Sequence, residues 1–164
     1  MDIEKLIEQL NGYFEGEKLR RGAALDAATA LSTLQAENEK RQDELIEACA
    51  KSRHAQEIQV ILAGKGPLEK KYRRLAEKLP NPIVMEFYTP ERLLDILSMC
   101  DLYVHTSDAE IEAMSCMEAF ACGLVPVIAD SPRSATPQFA LDERSLFPAG
   151  DSVALASRID WWID

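Results

Sequence analysis

At 164 residues, 47% of them hydrophobic and 28% charged, the chain is long enough to bury the core of one α/β domain with a small appendage. Its formal net charge of −10 excludes bulk electrostatic attraction to nucleic acid or to an anionic membrane, and no apolar run reaches the roughly 18 residues of a membrane span. The N-terminus is charged from Asp2 on and lacks the apolar core of a secretory signal, so the expected location is cytoplasmic.

Residues 1–36 carry no strand signal. Ile3, Leu6, Ile7, Leu10, Tyr13 and Phe14 recur at helical spacing, Asn11-Gly12 interrupts them, and a second helix fits Leu19 to Leu34 through Ala24, Ala27, Ala28 and Leu31. The spacing predicts a helical hairpin that packs on the rest of the chain or supplies a face for homo-oligomerisation. The polar stretch Glu37 to Glu44 is either a break or the exposed part of a helix continuing into Leu45, Ile46 and Cys49.

From residue 57 short β-rich runs alternate with helical segments. Gln59 to Ala63 is a strand ending at Gly64-Lys65-Gly66-Pro67, and Pro67 opens a helix that Pro80 stops. Ile83 to Phe87 is the next strand. Thr89 is the expected N-cap of a helix whose apolar face is Leu93, Leu94, Ile96 and Leu97. Leu102 to His105 is a third strand, followed by the loop Thr106-Ser107-Asp108 and a helix rich in Ala, Met and Cys that ends at Cys122-Gly123. A fourth strand, Val125 to Ala129, leads to a long loop, Asp130 to Thr136. A fifth, Ser145 to Phe147, precedes a helix capped by Asp151 or Ser152 and ending at Trp161-Trp162. Strands separated by helices require parallel pairing with right-handed crossovers, and near-continuous apolar strands require cover on both faces. The fold class is therefore a three-layer, Rossmann-like α/β sandwich of about five strands, with domain boundaries at 1–36 and 37–164. In such sheets ligands bind beyond the carboxyl ends of the strands, where Gly64 to Pro67, Thr106 to Glu112 and Asp130 to Arg133 lie.

Cys49, Cys100, Cys116 and Cys122 have neither CxxC spacing nor a nearby histidine pair and read as reduced thiols, and no metal site is expected. His54 and His105 read as structural. Glu110 and Glu118 stand eight residues apart at the start of the Ala/Met/Cys-rich segment. On one helix that spacing is roughly 12 Å, the span of a nucleotide-sugar lying across a helix start whose free N–H groups suit a diphosphate. Acidic residues at helix starts are also favoured by the dipole alone, so spacing leaves both readings open.

Several segments resemble, in order, the C-terminal, donor-binding domain of retaining glycosyltransferases of the GT-B fold. These are Ile61 to Pro67, Leu97 to Ser107, the Glu-x7-Glu pair Glu110 and Glu118, and Glu118 to Val127. The stretch Ser131 to Phe147 with Trp161-Trp162 resembles the bacterial cholesterol α-glucosyltransferases. The resemblance covers about residues 38–164. It implies that Glu118 binds the nucleoside ribose and that Glu110, the catalytic candidate, lies by the donor sugar. It implies further that the amides near Glu112 and Ala113 meet the diphosphate, that Lys40 neutralises phosphate, and that Gly64 and Gly66 let the backbone approach the base. The ligand implied is a nucleotide-sugar such as UDP-glucose, a substrate, with no other cofactor.

The chain departs from the family at three places. Glu110-Ile-Glu-Ala113 replaces the common Glu-x-Phe-Gly. Thr33, Leu34 and Gln35 stand where the family has an apolar strand ending in Gly-Arg, and the loss of one charge-assisted phosphate contact costs roughly 1.5–3 kcal/mol. The acceptor-binding domain is missing, and proximity catalysis needs it. Removing the family's central strand leaves five strands that can pair in the order 2-1-3-4-5; a sheet with a gap, or one filled by a swapped strand, would contradict that order. Two function classes follow. One is a donor-binding half-domain without transferase activity of its own. The other is an engineered chimera, a scaffold or interaction module built on that half-domain and associating through its N-terminal helices. A response-regulator receiver lacks the phosphorylatable Asp, acidic pair and downstream Lys it would need.

Overall fold

The structure, a computed structural model, describes residues 40–164, all within one compact unit, Glu37–Asp164. The expected N-terminal hairpin, and any association through it, lie outside the described residues.

Helix α1 (Gln42–Lys51) begins the described fold, with Asp43 and Glu44 in its first turn and Lys51 in its last, in the sense its dipole favours. It buries Ile46, Ala48 and Cys49, and its start at Gln42 makes the last part of the polar stretch before Leu45 its first turn. Strand β1 (Ile61–Ala63) is followed by α2 (Glu69–Ala76), and β2 (Val84–Glu86) by α3 (Pro90–Ser98). Thr89 caps α3 as expected, its hydroxyl accepting from the Arg92 amide, with Pro90 at the first position. Strand β3 (Leu102–His105), helix α4 (Met114–Ala121), strand β4 (Val125–Asp130), two short 3₁₀ turns, β5 (Leu146–Pro148) and α5 (Ser152–Ile163) complete the order. Asp151 caps α5 by accepting from the Val153 and Ala154 amides.

All the described pairings are parallel, as the alternation of strands and helices requires. Strand β4 alternates its faces: Val127 and Ala129 join Phe147, Leu155, Ile159 and Cys49 under α1 and α5, while Ile128 meets Ala113 and Cys116 of the α4 side. Both faces of the β3–β5 sheet are thus covered, the reason its strands read as continuous apolar runs.

The single five-stranded order 2-1-3-4-5 is not what forms. The strands make two sheets, β1-β2 and β3-β4-β5, and no described strand pairs β1 with β3. The neighbours within each half are those expected on either side of an intervening strand. Each half is held by its own helix contacts: α2 supplies Tyr72 and Ala76 against Leu62 and Met85, and α4 and α5 grip β3–β5. Val60, Leu62 and Val104 nevertheless share one apolar cluster, so among the described residues the halves have a common core without a common ladder.

At the far end of α1 a polar clasp ties the chain to α5. The Ser52 hydroxyl donates to Asp160 Oδ1 at 2.5 Å, the Arg53 amide donates to the same oxygen at 3.1 Å, and the Arg53 guanidinium reaches Asp160 and Asp164. His54 Nε2 lies 2.9 Å from Asp164 Oδ1, which holds the His54 pKa above its ordinary value and agrees with a structural role.

Candidate functional site

The carboxyl ends of β3 and β4 are sewn together by side chains that the loops after them carry. Thr106 Oγ1 donates to the Lys40 carbonyl at 2.7 Å, which pins Lys40 at the end of β3. Ser107 donates to the Ala109 carbonyl, and Ser131, just beyond β4, donates to the Asp108 carbonyl at 2.7 Å. The Ala135 amide donates to the Glu110 carbonyl at 2.8 Å, and Glu110 forms an isolated parallel bridge with Ser134. The Arg133 guanidinium closes the seam on the Asp108 carboxylate.

This stitching corrects one expectation. Helix α4 starts at Met114, so Glu110 and Glu112 lie in the loop before it and only Glu118 is helical. The 12 Å helical spacing therefore does not apply; the bridge to Ser134 draws the chain at Glu110 out of helical geometry. Glu110 Oε1 accepts from the Ile111 amide at 3.0 Å, and its Oε2 lies 3.9 Å from Lys40 Nζ. The structure thus brings together two expected site residues that are far apart in the sequence. Glu112 is exposed, and Glu118 is half-buried along α4.

Ala113 is the N-cap of α4 in the left-handed region, φ 54°, fully buried and without a side-chain cap. A β-carbon in that region costs roughly 1–2 kcal/mol, which explains why the family's Glycine suits this position. The uncapped amides of the first turn are the anion-binding feature of a helix start. Gly64 ends β1 with φ 143°, its amide bonded to the Glu86 carbonyl at 2.7 Å, and space is open where a β-carbon would sit. Gly66 has no such backbone requirement; its carbonyl accepts from the Glu69 amide. Both belong to the β1-β2 half.

Three features escaped the sequence reading. Tyr103 and His105, two apart on β3, share a face, and the Tyr103 hydroxyl lies 3.0 Å from His105 Nδ1 while donating to Ser115 Oγ at 2.8 Å. Burial pushes the His105 pKa down to about 4, with Glu110 pulling it up and Lys40 adding to the depression. Its Nε2 is buried without a partner. Period-two spacing of a tyrosine and a histidine at a strand's carboxyl end was the available signal. The second is Glu44, buried with neither carboxyl oxygen hydrogen-bonded; burial raises its pKa to about 7 against the nearby Arg41 guanidinium and Gly150 amide. Nothing in the helical pattern marks it. The third is the Asp108–Arg133 latch, which joins two loops distant in sequence.

The four cysteines are free, and burial pushes the Cys49 and Cys116 thiols up to about 12, which leaves them unreactive. A groove lined by Arg73, Ala76, Glu77, Leu79, Pro80 and Ile83 lies at the amino end of β2, away from this edge. Among the described residues, no helix is long and apolar enough to cross a membrane.

The sequence signature of the family "Glycosyl transferases group 1" matches residues 15–164. Among solved structures, the catalytic domain of cholesterol-α-glucosyltransferase from Helicobacter pylori is 51% identical over 78% of this chain and 80% of that one, with a TM-score of 0.74. The GtfA/B complex is 25% identical over 79% of this chain with a TM-score of 0.60, and the match spans 27% of that longer chain. No curated protein sequence matches.

Proposed function

This chain belongs to the glycosyl transferases group 1 family, and on that premise we propose that the carboxyl edge of its sheets binds a nucleotide-sugar donor, with UDP-glucose as the first candidate. In this reading Glu118 holds the ribose diol, Glu110 faces the donor sugar, and Lys40 with the amides at Glu112 and Ala113 neutralises the diphosphate. Gly64 and Gly66 flank the base. The observation that carries the reading is the meeting of Lys40 and Glu110 at the uncapped start of α4. One cation, one carboxylate and a helix N-terminus are what a sugar diphosphate asks for. The Helicobacter pylori enzyme, by its name a glucosyltransferase, supports a glucosyl donor.

For these residues we propose donor binding; transfer needs in addition an acceptor held against the reacting carbon with water excluded, worth roughly 7–11 kcal/mol of barrier in well-oriented reactions. Titration calorimetry with UDP and UDP-glucose tests the proposal. Glu118→Ala weakens both ligands by about tenfold or more, the loss of a bidentate carboxylate contact to the diol. Wild-type chain that gives no heat with either ligand at millimolar concentration refutes it.

A further inference from the structure

His105 is the most anomalous polar group beside the site. It is 5% exposed, its Nε2 has no hydrogen-bond partner, and a buried group left so normally reflects a ligand, a water or a stored cost. Its orientation is not loose. With the Tyr103 hydroxyl donating to Ser115 Oγ at 2.8 Å, its oxygen accepts toward His105; that arrangement places the ring proton on Nδ1 and leaves Nε2 as a bare lone pair. Burial keeps the ring neutral above about pH 4.

A lone pair without a proton discriminates between ligand atoms. The oxygens of an ionised diphosphate have no hydrogen to offer and are repelled by it. A sugar hydroxyl both donates and accepts, and the His105 lone pair supplies an acceptor for its proton. The charges acting on the ring are those of Glu110 and Lys40. These two stand 3.9 Å apart, beyond hydrogen-bond length, an ion pair that an inserted hydroxyl can replace.

We propose that His105, through its Nε2 lone pair, accepts a hydrogen bond from a hydroxyl of the donor hexose and so lets the site distinguish a nucleotide-sugar from the bare nucleoside diphosphate. The proposal rests on the donor-site reading above. It makes His105 a contact to the sugar, with Tyr103 and Ser115 as the residues that position its ring.

The test compares UDP-glucose with UDP on the full chain by calorimetry, and follows the imidazole nitrogens by ¹⁵N NMR. In the free protein the proton is expected on Nδ1, and UDP-glucose, not UDP, shifts the Nε2 resonance. His105→Leu is expected to weaken UDP-glucose about tenfold while changing UDP less than about twofold. His105→Gln, which can place an acceptor oxygen where Nε2 stood, restores most of the difference. Equal losses for both ligands, no loss for either, or a proton found on Nε2 overturns the role of His105 alone. If the leucine variant does not fold, the wild-type nitrogen shifts decide. Wild-type chain that binds neither ligand overturns the donor site and this inference together.

Discussion

The two ends of α1 follow opposite rules. At its C-terminal end, Ser52, Arg53 and His54 satisfy Asp160 and Asp164 of α5 with direct hydrogen bonds, and the carboxylates are held below their ordinary pKa range. At its N-terminal end the chain carries polar and backbone features that cost stability. Arg41 stands at the N-cap of α1 in the left-handed region at φ 49°, Glu44 is buried with only the Arg41 guanidinium and the Gly150 amide to ease its charge, Ala113 is left-handed, and His105 Nε2 has no hydrogen-bond partner among the described residues. Apart from the buried Ser145 hydroxyl before β5, the unsatisfied groups among the described residues, with the left-handed Arg41 and Ala113, lie toward the edge proposed to bind the donor, while the clasp between α1 and α5 spends nothing on ligand chemistry. A site must keep groups unpaired in the free protein so that a ligand can pair them, and the remainder of the fold has to supply the stability.

The largest test of this contrast is Glu44. Its folded pKa of about 7 lies above the unfolded value near 4.5. The folded state therefore binds the proton more tightly, and stability falls as pH rises from about 4.5 through 7, then levels off. The total is on the order of 3 kcal/mol. Glu44→Met removes that slope and stabilises the protein by a similar amount above pH 7, read by urea denaturation at pH 5 and pH 8. A variant as pH-dependent as the wild type removes Glu44 from the costly edge.

The clasp makes the opposite prediction. Burial works against the Asp160 carboxylate, but hydrogen bonds from Ser52 and Arg53 outweigh it and lower its pKa. Asp160→Ala destabilises by about 2 kcal/mol at pH 7, since it leaves a buried hydroxyl and an amide without their acceptor. The loss shrinks as pH drops below the ordinary aspartate range, where protonation removes the same interaction in the wild type. Denaturant midpoints at pH 7 and pH 3 read the difference, and an equal loss at both assigns it to packing. The smallest expected effect is at Ala113. Ala113→Gly relieves the left-handed β-carbon and forfeits one buried methyl, so it stabilises by about 1 kcal/mol or less. A drop in melting temperature shows that the methyl packing against Cys116 and Ile128 outweighs the strain.

Much of the architecture could be read before any coordinates. Parallel strands, the Thr89 and Asp151 caps, the end of α4 at Cys122-Gly123 and the alternation of β4 all followed from local spacing and turn chemistry. The start of α4 did not. Glu110 to Ala113 has helical composition, yet its backbone pairs with Ser134 and Ala135 after β4, a partner more than twenty residues away that no local propensity reveals. The order of the strands within each half was legible, but not the division of the described strands into two sheets, because which strands share a ladder depends on pairings distant in sequence.

The sequence by itself determined the fold class and the boundaries of most helices and strands, because those depend on residue type and short-range period; Lys40, Glu110 and Glu118 entered as site candidates through the resemblance to glycosyltransferase motifs. Only the tertiary structure decided that Glu110 leaves the helix to meet Lys40, that His105 is aimed by Tyr103 and Ser115, and that Glu44 is buried among charges. Those outcomes depend on which distant loops share the carboxyl edge of a parallel sheet, and crossover connections bring them together only once both strands are in place.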